Sequence, residues 1–225
     1  MLMKTIDGLP LPEAILRMAI ATFVEHGYEK TSMDEVAARA STTKRTVYAH
    51  FGSKEQLFRS ALAKAVAMFH SEMPKLADLA NPAAELEAFA VGFSDLSTWK
   101  GAVRMQRVVM GEAERFADLG TMLHGEIIER AEHLIAQYLM EVDQRGAIRR
   151  PDNWHAELAS IFLNMTTGPQ RFATLLQARE PVPSHPLAKT PPDLDRAAIR
   201  RAVNIFLLGI GLAKQHADRS CPGTR

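Results

Sequence analysis

The sequence contains almost no cysteine: Cys221 is the only one among 225 residues. A single thiol cannot close a disulfide within the chain, so a small extracellular scaffold held by disulfides is excluded and a reducing cytoplasm is favoured. Cys221 lies in a polar Ser-Cys-Pro-Gly tail. We expect a spectator thiol there rather than a redox sensor.

Long apolar runs are also missing. The longest, from Ile205 to Ala213, is too short to cross a bilayer. Near the start of the chain, Asp7, Glu13 and Arg17 interrupt the uncharged stretch that a signal peptide requires. The sequence therefore predicts a soluble protein of the cytoplasm with no membrane partner.

Charge of one sign is not in excess, because 27 Lys and Arg residues against 26 Asp and Glu give a net charge of only +1. No chain-wide positive field draws this protein to nucleic acid. The bias is local instead: the stretch from 40 to 54 holds three cations and no acid, namely Lys44, Arg45 and Lys54. Such a compact patch favours specific docking of a small domain onto nucleic acid over nonspecific coating.

Residues 31–58 predict two short helices joined by a tight turn, followed by the start of a third. Ser32 and Glu35 have the spacing of a capping box, and Thr43 can cap a second helix from Lys44 to about His50. A helix N-terminus favours negative charge, and this one presents donors for phosphates and base edges: Lys44, Arg45, Thr46 and Tyr48. The layout is that of a helix-turn-helix whose second helix enters the major groove of DNA.

The segment from Ile15 to Phe58 resembles the DNA-binding domain of the tetracycline-repressor (TetR) family. The matching positions, at that family's spacing, are Phe23, Gly27, Tyr28, Thr31, Ser32, Val36, Ala37, Val47, Tyr48, His50, Phe51, Ser53, Lys54, Glu55, Leu57 and Phe58. The family usually has glycine at the turn, where this chain has Ser41. If the turn requires a positive φ, serine is strained there and glycine is not.

The resemblance implies a role for each matched polar residue. Phosphate contacts are implied for Thr31 or Ser32, Tyr48, His50 and Lys54, and positions nearest the base edges for Lys44, Arg45 and Thr46. With the capping residue, the predicted DNA-binding set is Thr31, Ser32, Thr43, Lys44, Arg45, Thr46, Tyr48, His50 and Lys54. The alternative is that the three cations form an ordinary solvated face.

Helical periodicity and helix breakers continue to the end of the chain, with no convincing strand alternation. Further helices are expected at 12–27, 53–71, 83–98, 101–115, 118–145, 152–178 and 193–216, and the five prolines within 179–192 predict an extended loop. The prediction is an all-α protein with an N-terminal three-helix helix-turn-helix domain (1–52) and a C-terminal helical ligand-binding and dimerisation domain (53–225). The helix from Ser53 links the two.

Residues 107–119, R-V-V-M-G-E-A-E-R-F-A-D-L, resemble the effector domain of the AefR-like subgroup, with Ala117 in place of the usual proline. That resemblance implies a small-molecule effector, and an apolar, aromatic or fatty molecule is preferred because the apolar candidates dominate. Gly168-Pro169 is expected to kink its helix. The predicted ligand-binding residues are Trp99, Arg104, Met105, His124, Phe162, Asn164, Met165, Thr167 and Gln170. The alternative for each is core or dimer interface.

The last predicted helix carries an apolar stripe that the family resemblance assigns to a homodimer. Its members are Ile199, Val203, Phe206, Leu207 and Ile210. Two helix-turn-helix domains related by a twofold axis would bind palindromic DNA half-sites about one turn, roughly 34 Å, apart. The alternative is that this stripe packs only inside its own subunit.

Signals for enzymatic chemistry are absent. The sequence has no glycine-rich phosphate loop, G-x-S-x-G or H-E-x-x-H motif, and the Glu129–His133 pair alone is a weak metal signal. We therefore predict no catalytic residues, no metal site and no cofactor. Two alternatives stay open: an all-helical enzyme or ligand carrier with a vestigial DNA-binding head, and a DNA-binding factor that senses no ligand.

Overall fold

The computed structural model describes residues 8–144, 154–177 and 195–212. Over these residues the chain is helical and contains no strand, which confirms the all-α prediction. A π-helical segment, Gly125–Glu129, separates two parts of the predicted helix 118–145. The helices are α1 (Leu11–Lys30), α2 (Met33–Arg39), α3 (Lys44–Phe51), α4 (Lys54–Glu72), α5 (Pro82–Thr98), α6 (Lys100–Gly111), α7 (Ala117–His124), α8 (Arg130–Gln144), α9 (Trp154–Leu175) and α10 (Arg196–Ile210).

Some predicted features lie outside the described residues. These are Cys221, the proline-rich loop 179–192 and the outer ends of the helices predicted at 152–178 and 193–216. Of the helices that the structure describes, none is long and apolar enough to cross a membrane.

The helices form two compact units. One contains α1–α4, α7 and all of α6 except Lys100, and the other contains α5, α8, α9 and α10. This division follows packing, and it places the whole of α4 with the helix-turn-helix. The boundary predicted after residue 52 concerns function and stays a prediction.

The first unit is built around a buried aromatic and aliphatic core. Ile15, Ala19 and Phe23 recur at helical spacing on α1 and are fully buried, and Leu57 and Phe58 of α4 pack with them. Each such side chain contributes about 1.5–3 kcal/mol when it leaves water. The short helices α2 and α3 join this core through the small buried side chains that their sequences provide, namely Val36, Ala37, Ala40 and Val47.

Gly27 interrupts α1 close to its end, at the residue where the sequence predicted that the first helix ends. Its backbone has φ 78° and ψ 176°, a positive φ with an extended ψ. Only glycine adopts this region without strain. The last turn, up to Lys30, is thereby redirected, and the ring of Tyr28 enters the core.

The second unit has its own core between α5, α9 and α10. Phe89 and Phe93 of α5 stack with centroids 6.1 Å apart, and Phe162 of α9 meets Phe206 of α10 edge to face at 4.9 Å. Helix α9 continues through Pro169 to Leu175. Because proline has no N–H, it leaves the carbonyl of Met165 without its helical donor.

Candidate nucleic-acid interface and effector region

Helices α2 and α3 begin at the hydroxyl caps that the sequence predicted. Ser32 Oγ accepts the N–H of Glu35 at 3.1 Å, and Thr43 Oγ1 accepts the N–H of Thr46 at 3.2 Å. The capping box is nevertheless half formed, because the Glu35 carboxylate lies 2.9 Å from His26 Nε2 and 2.8 Å from the Arg39 guanidinium. The His26 contact joins α1 to α2, the Arg39 contact lies within α2, and neither closes the box.

The turn between α2 and α3 has the geometry that glycine prefers. Ser41 has φ 52°, and its N–H donates to the carbonyl of Ala38 at 3.1 Å. The N–H of Thr42 donates to the carbonyl of Ala37 at 2.9 Å, so both backbone groups are satisfied. The turn therefore has a positive φ at this residue, and Ser41 is strained at a position where the family usually has glycine.

Helix α3 presents one anchored and one free face. Val47 is fully buried and fixes the helix to the first unit. The polar side chains predicted to contact DNA surround it on the outside: Thr43, Lys44, Arg45, Tyr48 and His50 are exposed, and Thr46 is half-buried with its hydroxyl 2.8 Å from that of Thr43. The structure therefore brings six of the nine predicted DNA-binding residues to α3 and its N-cap.

Lys44 forms an ion pair with an acid of α2. Its Nζ donates to Asp34 Oδ2 at 2.7 Å, and this contact raises the pKa of Lys44. Both side chains are more than half exposed, so water and salt screen the pair strongly. A phosphate can therefore replace Asp34 as the partner of Lys44.

Lys54 occupies a different setting at the start of α4. Its Nζ donates to the carbonyl of Glu29 at 2.9 Å and lies 4.6 Å from the centroid of the Tyr28 ring. Ser53 caps this helix by accepting the N–H of Gln56 at 3.1 Å. Lys54 is thus ordered by residues at the end of α1.

Thr31 departs from its predicted role. It is only 3% exposed, and its hydroxyl donates to the carbonyl of Gly27 at 2.7 Å. The adjacent Ser32 is exposed. Of the two residues offered as alternatives for this phosphate contact, the structure leaves Ser32 available and commits Thr31 to stabilising the Gly27 bend.

The nine predicted ligand-binding residues do not line one cavity within either unit. Arg104, Met105 and His124 belong to the first unit, and the other six belong to the second. Met105 lies in the first core, and Phe162 and Thr167 are buried in the second. The remaining six vary: Arg104, His124, Asn164 and Met165 are exposed, Trp99 is half-buried, and Gln170 is buried.

Two concave regions each include one of the predicted ligand-binding residues. A cavity of about 420 Å³ on α9 is lined by Asn164, Gly168, Pro169, Arg171, Phe172 and Leu175. Burial lowers the pKa of Arg171, which the sequence analysis missed because an arginine in a helix is usually solvated. A groove of about 300 Å³ between α1 and α6 includes Arg104.

Hydroxyl and amide side chains are buried inside the second unit, and only two of them, Thr167 and Gln170, are among the ligand-binding residues that the sequence predicts. They lie on α5 and α9, and they are Ser94, Ser97, Thr98, Thr166, Thr167, Gln170 and Thr174. The available signal was the recurrence of serine and threonine at positions that otherwise carry apolar residues. Buried polar groups are normally hydrogen-bonded, yet Ser94 Oγ and Asp95 Oδ1 have no partner in the described part of the chain.

The predicted dimer stripe on α10 is buried within its own subunit. Its five residues are between 1% and 5% exposed: Ile199, Val203, Phe206, Leu207 and Ile210. The prediction that they form the dimer interface is therefore corrected, and the alternative stated with it holds. Large apolar side chains on the opposite side, which we call the outer stripe, are 36–67% exposed: Ile161, Met165 and Phe172 of α9, Leu176 directly after it, and Ile205 and Leu208 of α10.

Two regions of the chain match known protein families. Residues 15–61 match the family described as bacterial regulatory proteins, tetR family, and residues 84–209 match the AefR-like transcriptional repressor C-terminal domain. The HTH-type transcriptional regulator TcmR of Streptomyces glaucescens is 27% identical over 151 residues, which are 66% of this chain and 57% of that protein. The match thus spans little more than half the length of that relative.

Solved structures share the fold. A TetR-family transcriptional regulator from Mesorhizobium loti MAFF303099 superposes with a TM-score of 0.73 at 21% identity, covering 88% of this chain and 96% of that one. The flavonoid-responsive regulator FrrA superposes with a TM-score of 0.68 at 24% identity, with the same two coverages. At these identities the likeness concerns the fold.

Proposed function

The chain belongs to the TetR family of bacterial transcriptional regulators, in its AefR-like branch, and from this premise we propose that it is a repressor released by a small molecule. It binds a palindromic operator as a homodimer, in the cytoplasm where the chromosome is. The family consists of regulators and not of enzymes, so the alternative of a helical enzyme is not favoured. The single observation that carries the proposal is the exposed polar face around the first turn of α3.

The DNA-binding face consists of Ser32, Thr43, Lys44, Arg45, Thr46, Tyr48, His50 and Lys54. Val47 anchors α3, so the helix enters the major groove with Arg45 and Thr46 nearest the base edges. Ser32, Tyr48 and Lys54 contact phosphates. The backbone N–H groups at the start of α3 add to the attraction for the DNA backbone.

The outer stripe supports dimerisation. Monomeric proteins rarely expose several large apolar side chains together. Helices α9 and α10 pack against each other, and four such side chains on them or directly after α9 are each at least 60% exposed: Phe172, Leu176, Ile205 and Leu208. A second copy of α9 and α10 would cover them by forming a four-helix bundle. Twofold symmetry then presents two α3 helices to half-sites about 34 Å apart.

The interior of the second unit supports an aromatic effector with hydroxyl donors. Thr166 and Thr167 each donate to the carbonyl four residues earlier at 2.7 Å, so their oxygens keep lone pairs as acceptors. Phe89, Phe93 and Phe162 provide buried aromatic surface in the same core. FrrA, which shares the fold, is described as flavonoid-responsive, and a polyphenol fits this combination of acceptors and rings.

The experiment is binding of the purified protein to labelled DNA from upstream of its own gene, in excess nonspecific DNA and at several salt concentrations. Saturable, competitor-resistant binding that weakens steeply with salt supports the proposal. Arg45→Ala should abolish the preference for that DNA, whereas Lys75→Ala, at an exposed lysine outside the face, should bind like wild type. Failure to enrich any sequence from a random DNA pool would contradict the proposal.

The effector is tested on the same complex. Flavonoids and simple phenols are added to the DNA-bound protein, and release is measured against methylated analogues that cannot donate a hydrogen bond. We expect release by the phenols and not by their methyl ethers. Equal release by both would exclude hydrogen bonding to the buried threonine oxygens.

A further inference from the structure

The turn that follows α6 packs against the helix-turn-helix within the first unit. Phe116 is 5% exposed, and its ring meets that of Tyr28 edge to face with centroids 5.1 Å apart. It also lies 6.1 Å from the ring of Phe58 on α4. One side chain from the turn therefore contacts both the last turn of α1 and the core of α4.

Two arginines fix the turn on either side of Phe116. The guanidinium of Arg115 lies 5.0 Å from the centroid of Tyr28, and it forms an ion pair with Glu29. Arg59 of α4 pairs with Asp118 and lies 5.5 Å from the Phe116 ring. The aromatic contacts are buried and the ion pairs lie at their edge, so the turn is held against α1 and α4 by both kinds of contact.

The same two residues of α1 also hold Lys54. Its ammonium contacts the Tyr28 ring and donates to the Glu29 carbonyl, while Arg115 contacts that ring and pairs with the Glu29 carboxylate. Lys54 is a phosphate contact in the proposed function, and Arg115 and Phe116 are not. Lys54 and Arg115 of the turn thus share Tyr28 and Glu29 as partners.

We propose that Arg115 and Phe116 are positioning residues for DNA binding, acting through Tyr28 and Glu29 on Lys54. A free lysine side chain loses rotamer freedom when it binds a phosphate, and a lysine already ordered loses less. Displacing the turn frees Lys54 and weakens operator binding without touching α3. This inference rests on the proposed function, because it assigns the segment 112–118 a part in the same interface.

The experiment is a double-mutant cycle on operator affinity with Lys54→Gln and Arg115→Met. Arg115→Met keeps the length of a side chain that is more than half exposed, so the fold is retained. We expect Lys54→Gln to weaken binding about tenfold and Arg115→Met about fivefold, and the double variant to be no weaker than Lys54→Gln alone. If the double variant lost operator affinity by the product of the two single losses, the inference would be overturned.

A second cycle removes the ring without changing charge. Phe116→Leu keeps an apolar side chain under Tyr28, and we expect it to lose affinity only while Lys54 is present. Like Arg115→Met, it should reduce the slope of log affinity against log salt by up to about two per dimer, because one phosphate contact per subunit is weakened. A role in folding alone would lower the unfolding temperature and leave that slope unchanged.

The controls separate this inference from the function on which it rests. Arg130→Met changes an exposed arginine outside the first unit and should bind operator like wild type. If wild type itself binds no specific DNA, the proposed function fails. If wild type binds and the two cycles show independent effects, only the positioning role fails.

Discussion

Arg196 Nη2 of α10 lies 3.5 Å from Asp95 Oδ2 of α5, while the other oxygen of that carboxylate has no partner in the described part of the chain. Burial raises the pKa of Asp95 to about 6, against the opposing effect of Arg196. The folded protein therefore binds the Asp95 proton more tightly than the unfolded chain does. Ionisation of Asp95 therefore lowers the folding stability of the second unit.

Asp95→Asn should stabilise the protein above pH 6. Because the folded pKa is raised above the ordinary value of 3.8, the protonated form favours folding, and that advantage is lost as pH rises from about 4 to about 6. At pH 7–8 we expect the variant to gain on the order of 2 kcal/mol in the free energy of unfolding, measured with urea. The gain should shrink towards pH 4.

The control for this prediction is Glu157→Gln at an exposed position of α9, which should give a wild-type profile of stability against pH. A variant Asp95→Asn that is less stable than wild type at pH 8 would show that the ionised carboxylate, paired with Arg196, stabilises the fold.

Ser41→Gly should stabilise the first unit. Ser41 has φ 52°, which glycine adopts freely and serine does not, and we expect a gain of about 0.5–1 kcal/mol after the added entropy of the unfolded chain. Denaturant unfolding measures it. Ser71→Gly, in the last turn of α4, should be neutral or destabilising, so a gain in both variants would mean that the turn geometry is not the cause.

The helix-turn-helix could be predicted almost residue by residue because its signals are local. The caps Ser32 and Thr43 each accept an N–H from a residue three positions later in the sequence. The family resemblance supplied the rest. Thr31 shows the limit: its type and place matched, but its burial depends on the conformation of Gly27, which sequence spacing does not specify.

The larger region could be predicted only as helices. Helix α10 is apolar on two sides, and periodicity cannot say which side meets its own subunit. The sequence predicts a dimer interface on the side with Phe206, which is buried, whereas Leu208 on the other side is exposed. The packing of Phe116 on Tyr28 joins distant parts of the chain. Such pairs are fixed by tertiary packing and not by any local pattern.

Asp34→Asn and Lys44→Ala should change operator binding in opposite directions. Asp34 competes with phosphate for Lys44, whose Nζ is 2.7 Å away, so removing its charge should tighten binding modestly. Removing the ammonium should weaken binding and reduce the salt slope by about two for the dimer. Fluorescence anisotropy against salt measures both, and an unchanged slope for Lys44→Ala would mean that DNA docks on another face.

Leu208→Asp should convert the protein to a folded monomer. Leu208 is 67% exposed on the outer stripe, so the substitution costs little within one subunit but places two buried carboxylates at a twofold interface. Sedimentation equilibrium should show the monomer, helicity by circular dichroism should persist, and operator affinity should fall more than tenfold because one head reads only a half-site. Asn204→Asp introduces the same charge at an exposed position four residues earlier on α10, and it should disturb dimerisation less because it leaves the apolar side chains in place. If Leu208→Asp remained dimeric, the outer stripe would not be the interface, and the two heads would have to be joined by another surface.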